Sequence, residues 1–343
     1  MIGRRALLRA GAAALALPAA AGATGTPAPV DFVALGDMPY RPEALVGAAY
    51  RHLIDQINDL GLPFAIHVGD FKDGLADCGD GEYARQHAYF QRFASALVYT
   101  PGDNDWIDCQ RRGADPLERL QALRARFFAD ERSLGQRPIA LQRQGTLMPA
   151  YARYRENARW THQGVVFATF HTVGPHNGLA DPSAAVRDEA RVREAANAAW
   201  IRAAFAAARE SGARALVLAT QAETLTYPDR LRPREGVVSE HFAASVRDTL
   251  LPLAEDAPCP VLLVHGDFHA FITDQPFRNR AGQRIARLWR LEVFGEPRLH
   301  AVRVRINAGA PAAADRPPFE FFPVWNPLSP DPRQHRALGS DER

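Results

Sequence analysis

The chain has 343 residues, of which 47% are apolar and 23% are charged, the composition of an ordinary soluble globular protein. Its 41 basic and 39 acidic side chains leave a formal charge of +2. This balance gives no reason to expect binding to nucleic acid or to an anionic membrane surface. Because no linker-like stretch interrupts the chain, we expect one large domain.

The first residues are typical of an export signal. The segment Gly3–Arg9 contains the pair Arg4 and Arg5, and an Ala/Leu run with Pro18 and small residues follows it. The arginine pair resembles a twin-arginine (Tat) signal. The apolar run is shorter than the roughly 20 residues that cross a bilayer. We therefore expect residues 1–26 to be a cleaved signal peptide, which leaves a periplasmic or secreted protein without stable membrane insertion. An uncleaved anchor is the alternative.

Strands and helices are predicted to alternate along the chain. Apolar, β-rich runs indicate strands at 31–36, 63–69, 97–100, 164–173, 214–220, 260–266, 287–294 and 299–306. Helical periodicity is found at 42–60, 82–96, 115–129, 185–211 and 239–256. The alternation predicts an α/β fold with a mostly parallel sheet. The close spacing of the last two runs predicts an antiparallel hairpin.

The composition of the rest of the chain indicates a domain, an insert within it and a tail. We expect a domain over residues 27–310, and within it an Arg-rich, weakly periodic insert at 107–160 that forms an elaborated loop over the site. Residues 311–343 are rich in Pro and are expected to form an extended tail.

Two of the three cysteines favour a disulfide. Cys78 and Cys109 each follow a Gly-Asp segment by several residues, so two loops that leave the same edge of a sheet would bring them close. An exported protein can keep such a bridge oxidised. Two free thiols or two thiol metal ligands are the alternatives. Cys259, before a Pro and an apolar run, is interpreted as a buried small residue.

Four short segments end an apolar run in Asp or His. They are Val33–Asp37, His67–Asp70, Val98–Asp105 and Leu263–His269. A buried parallel strand that stops at Gly-Asp delivers a carboxylate to the carboxyl end of a sheet, where α/β proteins keep their sites. A lone Gly-Asp is more often a turn, but four such segments predict one shared metal centre.

The order of these segments resembles that of the calcineurin-like metallophosphoesterases. Asp37 ends the first strand, Gly69–Gly74 reads Gly-Asp-x-x-Asp-Gly, Gly102–Asp105 reads Gly-x-x-Asp, and Gly266–His269 reads Gly-x-x-His. The resemblance covers most of the chain between the signal and the tail. It implies a two-layered β-sandwich flanked by helices, which is a four-layer αββα sandwich. It also implies a dinuclear metal centre that binds a phosphate ester between its ions.

The resemblance further implies a ligand set. Matched position by position, the metal ligands are Asp37, Asp70, Asp103, Gln221, Asp267 and His269. The family's His two residues after the first Asp is here Pro39, which cannot bind a metal, and the His that assists departure of the leaving group is here Asn104. These oxygen-rich ligands favour one or two Mg²⁺, Mn²⁺ or Ca²⁺ ions over Zn²⁺.

The replacements change the chemistry of the site. Four carboxylates neutralise two divalent ions more fully than the family's usual ligands do, so the site attracts an anionic substrate less. Because Asn104 cannot donate a proton as an imidazolium does, protonation of the leaving group falls to water at the metal, to His265 or to no group at all. Tyr40, Lys72 and His171 are candidate substrate contacts. Each has a purely structural alternative. Tyr40 would pack within its loop, Lys72 would be a solvated lysine, and His171 would be a hydrogen-bonded part of the pocket wall.

The sequence therefore predicts an exported, metal-dependent hydrolase that acts on a small-molecule phosphate ester. The first alternative is a non-catalytic relative that binds Ca²⁺ or another ligand in an oxygen-rich pocket. The second is an envelope interaction protein that works through the insert. The chain contains no Gly-x-Ser-x-Gly, His-Glu-x-x-His or phosphate-cradling glycine loop, so hydrolases built on those motifs are not expected. The sequence does not indicate an oligomeric state.

Overall fold

The computed structural model describes residues 28–226, 236–308 and 316–329. The predicted signal peptide at 1–26 and the last part of the predicted tail lie outside the described residues. Within the described ranges, no helix has both the length and the apolar character needed to cross a membrane.

Two mixed β-sheets lie at the centre of the described chain. The first contains β1 (Val30–Leu35), β2 (Phe64–His67), β3 (Ala96–Tyr99), β11 (Ala301–Ile306) and β12 (Phe319–Val324), in the order β12-β11-β1-β2-β3. The second contains β4 (Gln142–Arg143), β5 (Ala158–His162), β6 (Val165–Thr169), β7 (Ala215–Ala219), β8 (Val261–His265), β9 (Ile272–Asp274) and β10 (Leu288–Glu292), in the order β4-β5-β6-β7-β8-β10-β9. Parallel pairing is confined to the runs β1-β2-β3 and β6-β7-β8-β10, and the outer pairs are antiparallel.

Helices cover the outer faces of both sheets. The α-helices are α1 (Glu43–Asp59), α2 (Asp80–Phe90), α3 (Pro116–Phe127), α4 (Gln144–Leu147), α5 (Ala184–Glu210) and α6 (Leu251–Glu255). In α1 the buried residues Val46, Tyr50, Leu53 and Ile57 recur at helical spacing, which gives the helix one apolar face. Helices α1, α2 and α3 pack on the first sheet. Helix α5 and the helical segment 243–255 pack on the second.

A cluster of apolar side chains fills the space between the inner faces of the two sheets. Phe32 and Phe64 of the first sheet pack against Phe167 of the second, with ring centroids 5.5 Å and 5.0 Å away. The order of layers is therefore helix, sheet, sheet, helix. The four-layer αββα sandwich that the resemblance implied is confirmed.

The predicted hairpin at 287–306 is wrong. Strand β10 lies in the second sheet, parallel to β8, whereas β11 lies in the first sheet, antiparallel to β1. The segment Val293–His300 crosses from one sheet to the other. Both strands lie in apolar, β-rich runs, and such a run indicates a strand but not which sheet the strand joins.

Parts of the predicted insert and tail belong to the layers. Helix α3 falls within 107–160 and strand β5 begins there, and residues Phe319–Val324 of the extended tail pair with β11 as an edge strand. The predicted disulfide between Cys78 and Cys109 is confirmed, and it joins the loop after β2 to the loop after β3. Cys259 is free and buried, as predicted.

The contact between the sheets predicts a large cost for Phe167→Ala. Phe167 is fully buried, and truncation of a buried Phe usually costs about 3–5 kcal/mol because it leaves a cavity. Urea denaturation followed by circular dichroism measures the free energy of unfolding. Leu45→Ala is the control, since Leu45 is 68% exposed and its truncation is expected to change stability by about 0.5 kcal/mol or less. Equal stability of the two variants would contradict the described packing.

Candidate metal centre

Four acidic residues come directly after strands and meet where the carboxyl ends of the two sheets adjoin. Asp37 follows β1, Asp70 follows β2, Asp103 follows β3 and Asp267 follows β8. The carboxylate of Asp37 accepts a hydrogen bond from the backbone N–H of Asp267, with 3.1 Å between Oδ1 and N. This bond joins the two sheets at the site.

Glycine lets the backbone come close to these carboxylates. A Cβ atom at Gly102 would overlap Oδ1 of Asp70, and one at Gly266 would overlap Oδ2 of Asp37. Any side chain at either position would displace the carboxylate that faces it. The Gly-Asp pattern of the sequence thus has a steric cause.

Four residues of the site have a left-handed backbone. The φ angles are 53° at Asp37 and Asp70, 86° at Asp267 and 61° at His269. Such conformations cost of the order of 1–3 kcal/mol each and are common at functional sites. The abrupt turns end each strand and direct the side chains towards a common centre.

Hydrogen bonds fix Asp70 and the amide of Gln221. Oδ2 of Asp70 accepts bonds from the Tyr40 hydroxyl at 3.3 Å and from Nε2 of Gln221 at 3.1 Å. Oε1 of Gln221 accepts the N–H of Gly174 at 2.7 Å. Since a backbone N–H can only donate, the amide oxygen must face Gly174. Gln221 therefore presents N–H donors, not an oxygen, to the carboxylates.

His269 presents a nitrogen lone pair to the same centre. Its Nδ1 donates to the backbone oxygen of Glu296 at 2.7 Å, which leaves the lone pair of the neutral ring on Nε2. Nε2 lies 3.1 Å from the Tyr40 hydroxyl and 3.8 Å from Oδ1 of Asp37. Burial lowers the pKa of His269, so the ring is neutral and can bind a cation through Nε2.

Two carboxylate oxygens of this group have no hydrogen-bond donor among the described residues. They are Oδ2 of Asp37 and Oδ1 of Asp103, and both are buried. A buried oxygen without a donor is costly unless a cation or a proton faces it. The convergent side chains, carboxylates with one imidazole nitrogen, therefore fit a divalent cation.

Electrostatic repulsion adds to the cost of this arrangement. Burial raises the pKa of Asp70, and repulsion from Asp103 raises it further. Burial also raises the pKa of Asp37, with a contribution from Asp267, and it raises the pKa of Asp267 to about 7. Near neutral pH the carboxylates must therefore retain protons or bind a cation.

Asp105, which the sequence analysis did not select, holds two loops together. Its Oδ2 accepts bonds from the N–H of Gly102 at 2.8 Å, the N–H of Asp70 at 3.1 Å and the Tyr99 hydroxyl at 2.7 Å. Its Oδ1 accepts the N–H of Phe71 at 2.9 Å. The sequence feature that could have identified Asp105 is its place at the end of the Gly-x-x-Asp motif. With its oxygens occupied, Asp105 positions the loops that carry Asp70 and Asp103.

Lys72 and Asn104 also lie beside the carboxylates. Lys72 is fully buried, and its Nζ donates to the backbone oxygen of Asp73 at 3.1 Å. Burial lowers the pKa of Lys72, and the charges of Asp105 and Asp70 oppose this shift. The backbone N–H of Asn104 donates to Oδ1 of Asp70 at 3.1 Å. Lys72 therefore offsets acidic charge from within the protein.

The two remaining histidines of the predicted site lie in other groups. His171 makes side-chain hydrogen bonds with Glu156 at 2.8 Å and Trp106 at 3.2 Å, so both of its ring nitrogens are occupied. His265 lies with Glu223 and Glu292, and one ligand atom from each of these three lies within 4.8 Å of the others. This buried group has the composition and spacing to hold a metal ion. The sequence analysis missed both glutamates, although Glu292 also ends an apolar strand.

No model of a known protein family and no curated protein matches this sequence. The chain is similar in fold to solved phosphatases. A dimetal phosphatase from Danio rerio is 8% identical, with 87% of this chain and 99% of that chain covered and a TM-score of 0.44. A purple acid phosphatase from yellow lupin (Lupinus luteus) is 13% identical, with 92% and 56% covered and a TM-score of 0.44.

A third similar structure is described as an anchor in the inner membrane complex of Plasmodium, GAP50. It is 11% identical, with 78% of this chain and 71% of that chain covered and a TM-score of 0.43. These similarities concern the course of the backbone. The chemistry of the site is inferred from its own side chains.

The raised pKa of Asp267 predicts that the metal-free protein loses stability as the pH rises. A carboxyl with a folded-state pKa of about 7 and an ordinary pKa of 3.8 keeps its proton in the folded state over an interval in which the unfolded state has lost it. The free energy of unfolding should therefore fall between about pH 4 and about pH 7. Urea denaturation with a chelator present measures this slope, and Mn²⁺ or Ca²⁺ should restore stability at the higher pH.

Asp267→Asn is the matched variant, because it removes one titrating group and should make the slope shallower, while Asp37 and Asp70 continue to contribute to it. A metal-free protein that gains stability over this pH interval, or one that divalent ions leave unchanged, would contradict the electrostatics described here.

Proposed function

We propose that the protein is an exported, metal-dependent hydrolase of small phosphate esters. The proposal is carried by the convergence of the carboxylates and His269 on one centre in which two buried oxygens have no donor among the described residues. The order of the motifs, which resembles that of the calcineurin-like metallophosphoesterases, supports it. The Cys78–Cys109 disulfide supports export, since such bridges persist in oxidising compartments.

The side chains divide between one or two cation positions. Asp37 and His269 face one position, Asp103 and Asp267 face the other, and Asp70 lies between them. A divalent ion bound there supplies positive charge opposite the phosphate oxygens and lowers the pKa of a water molecule. The predominance of carboxylate oxygens favours Mg²⁺, Mn²⁺ or Ca²⁺. In this proposal Gln221 orients Asp70 through its amide N–H groups and does not bind the ion itself.

Tyr40 is the residue best placed to contact the substrate. Its hydroxyl lies between Asp70 and His269, and burial together with the charge of Asp70 raises its pKa. The phenol therefore keeps its proton and can donate a hydrogen bond to a phosphate oxygen. The Asn104 amide can donate hydrogen bonds but cannot transfer a proton to a leaving group, and His265 lies in another group. We expect a preference for esters whose leaving groups are already acidic, such as nitrophenols.

Hydrolysis of nitrophenyl phosphate mono- and diesters tests the proposal. We expect the metal-loaded protein to turn over at least one of them, and Asp70→Asn to lower kcat by about 100-fold or more, because the variant loses a charge that two cation positions share. Asp55→Asn is the matched control, since Asp55 lies exposed on α1. No turnover with any divalent ion, or full turnover in Asp70→Asn, would count against hydrolysis.

A non-catalytic protein that binds Ca²⁺ or another ligand is the second candidate. It is favoured by Pro39, which stands where the family has a ligand, and by the burial of Asp37 and Asp70, which are 0% and 3% exposed. This candidate predicts that Ca²⁺ raises the melting temperature of the wild type more than that of Asp70→Asn, with no hydrolysis by either. Calorimetry that detects no divalent binding would exclude it.

A further inference from the structure

Three neighbouring parallel strands bring a second group of ligand atoms together. Glu223 follows β7, His265 ends β8 and Glu292 ends β10. His265 and Glu292 are register partners across β8 and β10. Because side chains alternate along a strand, both lie on the face that carries Leu263 and Leu288 towards the helices. All three residues are buried, and one ligand atom from each lies within 4.8 Å of the others.

Each member of this group is fixed by a second contact. Nδ1 of His265 donates to the backbone oxygen of Gly266 at 2.9 Å. Oε1 of Glu223 accepts the N–H of Leu225 at 2.8 Å, and Oε1 of Glu292 accepts the N–H of Ala270 at 3.0 Å. Metal-binding side chains are typically held in this way through their other polar atom.

Two atoms of this group, one on His265 and one on Glu292, have no hydrogen-bond partner among the described residues. With Nδ1 protonated, Nε2 of His265 carries a lone pair, and it faces Oε2 of Glu223 at 3.9 Å, which is too far for a hydrogen bond. Neither Nε2 of His265 nor Oε2 of Glu292 has a hydrogen-bond partner among the described residues, although both atoms are buried. A buried lone pair and a buried carboxylate oxygen without partners are costly, and a cation bound by both would remove this cost.

We propose that Glu223, His265 and Glu292 bind a divalent transition-metal ion, Zn²⁺ or Mn²⁺, at a site separate from the carboxylates around Asp70. One imidazole nitrogen and two carboxylates form a ligand set that Zn²⁺ accepts, with a fourth position left for water. The site does not depend on hydrolysis. It joins the ends of β7, β8 and β10.

Arg290 supports the site without occupying it. Its Nη1 donates to Oε2 of Glu223 at 2.6 Å, while its other nitrogens bind the two oxygens of Asp274 at 2.8 Å and 2.7 Å. The guanidinium therefore orients Glu223, and Asp274 offsets its charge. A cation at this position would offset the buried acidic side chains of Glu223 and Glu292.

Zinc binding by the full-length chain tests the site. The metal-free Asp70→Asn variant is titrated with Zn²⁺ against a chromophoric chelator. This substitution weakens the first centre, the one formed by the carboxylates around Asp70 and by His269. We expect Asp70→Asn to bind one Zn²⁺ ion per chain tightly. Addition of Glu292→Gln should lower the affinity for this ion by about 100-fold or more, because a charged ligand is lost. Glu210→Gln in the same background is the matched control, since Glu210 is exposed at the end of α5, and it should leave the zinc affinity unchanged.

Anomalous scattering from crystals of the wild type, grown with Zn²⁺ and measured at the zinc edge, makes the test independent of how the variants fold. A peak about 2.0–2.2 Å from Nε2 of His265 and from an oxygen of each glutamate is expected. A peak found only beside Asp70, or equal zinc affinity with and without Glu292→Gln, would overturn the proposal. Loss of phosphatase activity alone bears on the first centre and not on this one.

Discussion

The repulsion between buried carboxylates is the constraint on which the site depends. Asp37, Asp70, Asp103 and Asp267 follow strands of both sheets. The first three are buried and Asp267 is half-buried. In a low-dielectric interior, like charges a few ångströms apart cannot all remain ionised unless positive charge is near. The buried Lys72 supplies part of that charge, and protons or divalent ions must supply the rest. Cation binding is therefore a requirement of the folded state as much as a property of the site.

The fold provides stiffness against this repulsion. Left-handed turns at the strand ends direct the carboxylates inward, and Asp105 binds backbone N–H groups of both loops that carry Asp70 and Asp103. The Cys78–Cys109 disulfide links the same two loops further out. An arrangement fixed in this way before the ion arrives spends little binding energy on ordering the ligands.

The sequence predicts the central strands and helices well, because each buried element carries an unbroken apolar run or an apolar face. It misses β5, where Arg159 and His162 interrupt the pattern, and β12, where Pro density suggested only an extended tail. It also assigns β10 and β11 to one hairpin, since alternation contains no information about which sheet a strand joins. Recognition between strands that are distant in the chain depends on the packing of whole layers.

The sequence likewise reveals some residues of the site and not others. Carboxylates that follow Gly at strand ends can be found from the sequence, because sterics tie Gly102 and Gly266 to the acids that they face. The orientation of the Gln221 amide cannot be found, since it depends on the N–H of Gly174. Glu223 carries no local signal, and Glu292 offers only its place at the end of an apolar strand. They become a group only when three parallel strands place their ends side by side.

The segment Val293–His300, which crosses between the sheets, passes directly over the first centre. The N–H of Glu296 donates to the backbone oxygen of Asp37 at 2.9 Å, and its own backbone oxygen accepts from His269. The two halves of the sandwich are therefore tied together by main-chain bonds at the point where the ligands meet. Unfolding of either sheet alone would disrupt the binding site. We therefore expect one cooperative unfolding transition in which the sandwich and its capacity to bind an ion are lost together.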